Sequence, residues 1–162
     1  MGSYEIMICP IKRLYQYADD GDMSDVAVLA VSSYDINEDR LKAFGRTLCL
    51  NFADITDGFE SSAFNKDIAG KIAAYVKDLP KQLDTLFVCC DSGESRSTAM
   101  SAAIMRYNEM DEMKIWRNPH YHPNTLVYSL LCDALGVPVS KVELQAKCWT
   151  NEKALSDAIK HN

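Results

Sequence analysis

The stretch Leu86–Tyr107, LFVCCDSGESRSTAMSAAIMRY, decides the fold. Thr85–Cys90 is a short, apolar, β-prone run, the pattern of a buried strand. Met100, Ala103, Ile104 and Tyr107 then recur at helical spacing on one face. Between strand and helix lies Cys90-Asp91-Ser92-Gly93-Glu94-Ser95-Arg96-Ser97, in which five residues separate the cysteine from the arginine. A loop that feeds a helix N-terminus turns free backbone N–H groups into its hollow, and the helix dipole adds partial positive charge there. The amides of Asp91, Ser92, Gly93, Glu94 and Ser95 are therefore expected to form a nest for an anion. Gly93 lets the loop turn and a ligand approach closely. Arg96 offers a rigid fork of donors suited to a tetrahedral oxyanion. The same field favours a thiolate at Cys90, and Ser97 or Ser95 can donate to that sulfur. An oxyanion and a thiolate nucleophile in one cradle predict phosphoryl transfer through a cysteinyl phosphate.

The rest of the chain supplies a frame for this loop. Tyr4–Cys9, Val26–Val31 and Thr47–Phe52 read as three further strands, and Val26–Val31 is apolar without alternation, as a strand covered on both faces is. Helical segments are predicted over Lys12–Tyr17 and as a turn over Asp39–Phe44. A longer helix carries the stripe Phe64, Ile68, Ile72, Tyr75, Val76 and Leu79 and ends at Pro80. Asp111–Pro123 reads as a loop, followed by a helix bearing Leu126, Val127, Leu130, Leu131, Ala134 and Leu135. Ser140 and Glu143 open another as a capping box. Asn151 is expected to cap a last helix with Ala154, Leu155, Ala158 and Ile159 facing inward. Strands separated by helices give an α/β fold: a central, mostly parallel sheet of four or five strands flanked by helices. The site is expected beyond the C-terminal ends of the strands. No repeat or linker divides residues 1–162, so one domain is expected.

Composition narrows the function classes. The chain has 162 residues, 48% apolar and 25% charged, with a net charge of −6. That charge argues against nucleic acid or a membrane surface as partner, and an anionic substrate needs a local basic pocket. The N-terminal MGSYEIMICP has no basic region ahead of an apolar core, so no secretory leader is expected. Met1-Gly2 lacks the hydroxyl residue a myristoylation site needs at position 6. Six cysteines without framework spacing fit a reducing cytoplasm. His120 and His122 have no partners at metal-ligand spacing, so neither a metal nor another cofactor is expected. The sequence leaves oligomeric state open.

The loop resembles the signature of the protein tyrosine phosphatases, and is most similar to small dual-specificity-like members and their single-domain bacterial and phage relatives. The residues that carry the likeness are the apolar strand, Cys90, Gly93, the triplet Ser95-Arg96-Ser97 and the small-residue helix after them; Pro123-Asn124 adds a second match. The resemblance implies a phosphatase-like fold over roughly Val26–Leu135 and a phosphorylated protein or small phosphate ester as substrate. It makes Cys90 the nucleophile, Arg96 the clamp on phosphate and transition state, and Ser97 the group that stabilises the departing thiolate. It makes Asn124 a brace for the loop. It also implies an aspartate general acid a little over thirty residues upstream. Asp54 directly follows the third strand, 36 residues before Cys90, and Asp57 lies 33 before it; strand position favours Asp54, spacing favours Asp57. The family usually carries a histidine where Cys89 stands. That departure keeps a second reading open, a phosphate-binding module with little or no turnover. A Cys89–Cys90 vicinal disulfide would be strained. The side chains of Asp91 and Glu94 are expected to point outward while their amides point in. Trp116, Arg117, His120, Tyr121 and His122 are candidates for the pocket rim. Sulfurtransferases of the rhodanese type have a shorter cysteine-to-arginine loop, and low-molecular-weight phosphatases or arsenate reductases carry theirs near the N-terminus.

Overall fold

Four apolar runs form four strands in a computed structural model that describes residues 2–161: β1 (Glu5–Pro10), β2 (Met23–Ser32), β3 (Phe44–Asn51) and β4 (Thr85–Cys90). They make one sheet, all parallel, in the order β1-β4-β2-β3. The last strand in sequence is thus inserted between the first two. Both of its edges are paired, all six of its residues are buried, and the loop it feeds opens at the middle of the sheet's carboxyl edge, where crossovers diverge and leave a crevice.

Side chains alternate across the sheet because successive Cβ atoms point to opposite faces. Ala27, Leu29 and Val31 of β2 and Leu86, Val88 and Cys90 of β4 face the larger core. That core is built with α2 (Lys66–Lys77), α3 (Arg96–Tyr107) and α5 (Thr125–Ala134). Val28, Ala30, Phe87 and Cys89 face a smaller core beneath α1 (Ile11–Ala18) and a 3₁₀ turn (Glu38–Leu41). Every residue of α3 from Arg96 to Met105 is buried. Its serines and alanines let it approach the sheet and α5 closely, and each fully buried Ile or Leu around it contributes ~1.5–3 kcal/mol. Asn65, Asn124 and Ser140 cap α2, α5 and α6 (Lys141–Lys160) by accepting from the backbone N–H of Ile68, Val127 and Glu143.

Three expectations change. The Asp111–Pro123 segment contains a short helix, α4 (Met113–Trp116). The helix opened by Ser140 runs unbroken to Lys160, because no Gly or Pro interrupts it. Asn151 therefore caps nothing, and its Nδ2 donates to the carbonyls of Trp116 at 3.1 Å and Tyr121 at 2.8 Å. Ala154 and Ala158 are half-buried, whereas Leu155 and Ile159 remain 37% and 67% exposed.

A partly buried charge cluster joins these helices. Glu112 accepts from Trp116 Nε1 at 3.1 Å and from Tyr128 OH at 2.6 Å. Arg106 donates to Glu143 at 2.6 Å and to the Val137 carbonyl at 2.9 Å, and Lys147 reaches Glu143 at 2.7 Å. Burial alone would raise the Glu143 carboxyl above its usual 4.5, but the bonds from Lys147 and Arg106 outweigh it and hold the group lower. A carboxyl depressed in the folded state contributes stability above its unfolded value and loses it as pH falls through the folded value. Thermal melts of wild type and Glu143→Gln are therefore expected to differ most at neutral pH and to converge as acidification protonates the depressed carboxyl. A gap that does not shrink on acidification would rule this ion pair out as the cause.

Candidate active site

The Cys90 loop closes against the end of β1. Gly93 has φ +74°, and a Cβ there would lie 2.9 Å from the Pro10 nitrogen and 3.1 Å from the Cys9 carbonyl carbon. Only glycine meets both demands. In this turn the Gly93 N–H donates to Cys90 Sγ at 3.2 Å, and Ser97 Oγ lies 3.1 Å from the same sulfur. The Cys90 side chain is fully buried. Ser95, at the N-cap of α3, makes no side-chain capping bond, so the positive end of the helix is left uncapped from within. Thr98 Oγ1 instead ties the turn by donating to the Glu94 and Ser95 carbonyls at 2.8 and 2.9 Å.

A second segment lies along the loop. His122 N donates to the Glu94 carbonyl at 2.9 Å and Asn124 N to the Ser95 carbonyl at 3.2 Å. The Asn124 side chain works in two directions: Oδ1 caps α5, while Nδ2 donates to Asp54 Oδ1 at 2.9 Å and to the Ile55 carbonyl at 3.1 Å. Ser95 Oγ donates to the same Asp54 oxygen at 2.8 Å. Asp54 is thereby drawn against the Cys90 loop. Asp57 instead accepts a local bond from Phe59 N at 3.0 Å. Both line an open cleft of about 670 Å³, shared with Glu60, Ser95, His122 and Asn124.

Arg96 is 5% exposed. Its Nη1 donates to the Phe52 carbonyl at 2.7 Å and to Ser33 Oγ at 3.0 Å, and its Nη2 donates to Asp91 Oδ2 at 2.8 Å. Its Nε is buried without a partner. The Asp91 side chain does not point outward as expected: Oδ1 accepts from Ser32 Oγ at 2.5 Å and Oδ2 from Ser33 N at 3.0 Å. A carboxylate beside a buried guanidinium gains more by pairing than by hydration. Glu94 and Ser92 are exposed, and Ser92 Oγ accepts from Glu94 N at 3.3 Å. Ser32, Ser33 and the Phe52 carbonyl were missed from the sequence, although their place at the carboxyl ends of β2 and β3 was the available signal.

The remaining candidates separate cleanly. His122 and Asn124 reach the cleft, whereas Trp116 is core, stacked edge-on against Tyr128. Cys89 points to the opposite face of the sheet from Cys90 and meets Cys9 at Sγ···Sγ 3.3 Å. A Cys89–Cys90 pairing is excluded by that alternation. Burial, and then the contact with Cys9, push the Cys89 thiol up; burial likewise pushes Cys49 to about 11 and Cys132 to about 12. Among the described residues no group of three or more His, Cys, Asp or Glu side chains is placed to hold a metal ion, and no helix is long and apolar enough to cross a membrane.

The sequence matches no family model and no curated protein. Its structure is similar to the crystal structure of PTPMT1 in complex with PI(5)P, with a TM-score of 0.54 over 88% of this chain and 94% of that one, at 14% identity. The two chains share this fold, a parallel sheet flanked by helices. The crystal structure of Tk-PTP in the active form also aligns, at 14% identity, a TM-score of 0.46 and 92% of each chain. The expected fold class stands, with four strands and all of them parallel.

Two substitutions test this geometry. Gly93→Ala forces a side chain into the β1 backbone at positive φ; a loss of ~1–3 kcal/mol in unfolding free energy is expected, and an unchanged value would mean the loop relaxes freely. Cys89→His places a larger polar ring in the packed smaller core. It is expected to cost ~1–3 kcal/mol in denaturant unfolding; an equally stable variant would show that this core has room to spare.

Proposed function

We propose that the chain is a cysteine-dependent phosphatase that hydrolyses phosphate monoesters through a phosphocysteine, with phosphotyrosine or dual-specificity protein substrates. One observation carries the reading. The Cys90 sulfur meets an amide and a hydroxyl within the same short loop as a buried arginine whose Nε lacks a partner. A buried donor without a partner is costly unless a ligand completes it.

The Cys90 thiolate attacks phosphorus as the bond to the leaving oxygen breaks. Arg96 and the loop amides bear the charge on the equatorial oxygens. Asp54 protonates the leaving oxygen. Its Oδ1 is fixed by Ser95 and Asn124, which leaves Oδ2 to carry the proton. Water then attacks the phosphocysteine, its proton passes to Asp54, and the S–P bond breaks. The Ser97 hydroxyl donates to the departing sulfur. No step uses Asp57.

The carboxylates of Asp54, Asp57 and Glu60 in the cleft and of exposed Glu94 favour substrates with neutral or basic flanks. PTPMT1 has been crystallised with a phosphoinositide; the acidic surroundings here weigh against a polyanionic headgroup. Cys89 in place of histidine is the observation behind the second reading, a phosphate-binding module with weak or no turnover.

Hydrolysis of an aryl phosphate and of a phosphotyrosine peptide, with a metal chelator present, tests the proposal. Cys90→Ser is expected to abolish turnover, Asp54→Asn to lower kcat by about 10²–10⁴-fold, and Asp57→Asn to leave it within about threefold. Turnover that survives in Cys90→Ser would sink the mechanism. Wild type that binds tungstate but never turns over would favour the binding module.

A further inference from the structure

The placement of Asp91 deepens the proposed function, resting on the reading of the Cys90 loop as a phosphate site. A guanidinium carries five N–H donors. Both hydrogens of Arg96 Nη1 are committed, to the Phe52 carbonyl and to Ser33 Oγ. One hydrogen of Nη2 goes to Asp91 Oδ2. Two donors remain, the second Nη2 hydrogen and the Nε–H, which is buried and unpartnered. They sit on neighbouring nitrogens, the spacing with which a guanidinium grips an oxyanion through two parallel bonds.

We infer that Asp91 is the positioning residue for Arg96, fixing the guanidinium plane so that its Nε–Nη2 edge is presented to the phosphate. Asp91 is itself immobilised from the end of β2, through Ser32 Oγ on one oxygen and Ser33 N on the other. Neither carboxylate oxygen is left to compete for the hollow. Its carboxyl stays ionised: burial alone would raise it, but the bonds from Ser32, Ser33 and Arg96 together lower it. The anion-binding loop thus supplies the carboxylate that orients its own arginine, with the end of β2 as the anchor.

A double-mutant cycle on the full chain tests this, read by calorimetric titration with sodium tungstate, a tetrahedral oxyanion, into the millimolar range. The variants are Asp91→Asn, Arg96→Lys and the pair, with melting temperatures measured alongside. With Arg96 present, the loss from Asp91→Asn is expected to be tenfold or more, on the order of what misplaced binding groups cost. Lysine has no fork to orient, so in the Arg96→Lys background that loss is expected to shrink to about twofold or less. Ser32→Ala, which removes one of the two β2 anchors of Asp91 together with the acceptor for Tyr34 N, is expected to weaken tungstate in the same direction with Arg96 present and far less in the Arg96→Lys background. It keeps the test open if Asp91→Asn fails to fold. Equal losses in both backgrounds would overturn the proposal and make Asp91 a packing residue. Tighter tungstate binding in Asp91→Asn would overturn it too, making Asp91 a competitor for Arg96. Tungstate binding by wild type without phosphatase turnover would sink the hydrolytic reading and leave this one standing. Wild type that does not bind tungstate would sink both.

Discussion

One buried guanidinium joins the segments that make the site. Arg96 sits at the start of α3, yet its donors reach the end of β2 at Ser33, the residue after β3 at Phe52, and its own loop at Asp91. A charge this deep is tolerated only when paired and hydrogen-bonded. The strand ends must therefore converge at the point where β4 gives way to α3. The sheet order delivers that convergence, since inserting β4 between β1 and β2 brings three carboxyl termini around the loop.

The C-terminal third holds the site from behind. Glu112 collects Trp116 and Tyr128, Arg106 and Lys147 meet at Glu143, and Asn151 holds the carbonyls of the segment that leads to His122. That segment runs along the Cys90 loop through backbone bonds from His122 and Asn124. Asn124 then passes the constraint to Asp54. A chain of satisfied polar groups in a low-dielectric interior is rigid, and a rigid frame is what a preorganised anion site needs.

Much of this was legible in the chain. The β4-loop-α3 unit follows from a strand-length apolar run, a Cys-to-Arg spacing and a small-residue helix. The parallel sheet follows from the unbroken run Val26–Val31 and the helices between strands. Asn151 misled because Asn is a good helix cap in isolation, and only the carbonyls of a distant loop gave its amide other work. Leu155 and Ile159 misled because helical periodicity says which residues share a face and says nothing about whether a partner covers it. The outward orientation expected for Asp91 failed because a local rule, acids outside an anion nest, lost to a buried cation five residues along.

The sequence by itself determined the local chemistry: the strand-to-helix turn, the glycine that must be glycine, and the cysteine, serine and arginine that one loop brings together through covalent spacing. Tertiary structure alone decided the long-range pairings. It chose Asp54 over Asp57 as the carboxylate against the loop, through Ser95 and Asn124. It set Cys89 against Cys9 across the β1–β4 pair and turned Asp91 inward onto Arg96. The physical reason is that spacing along a chain constrains neighbours within a turn or two. Which carboxylate meets which donor across roughly forty to seventy residues depends on where the sheet and helices set them down.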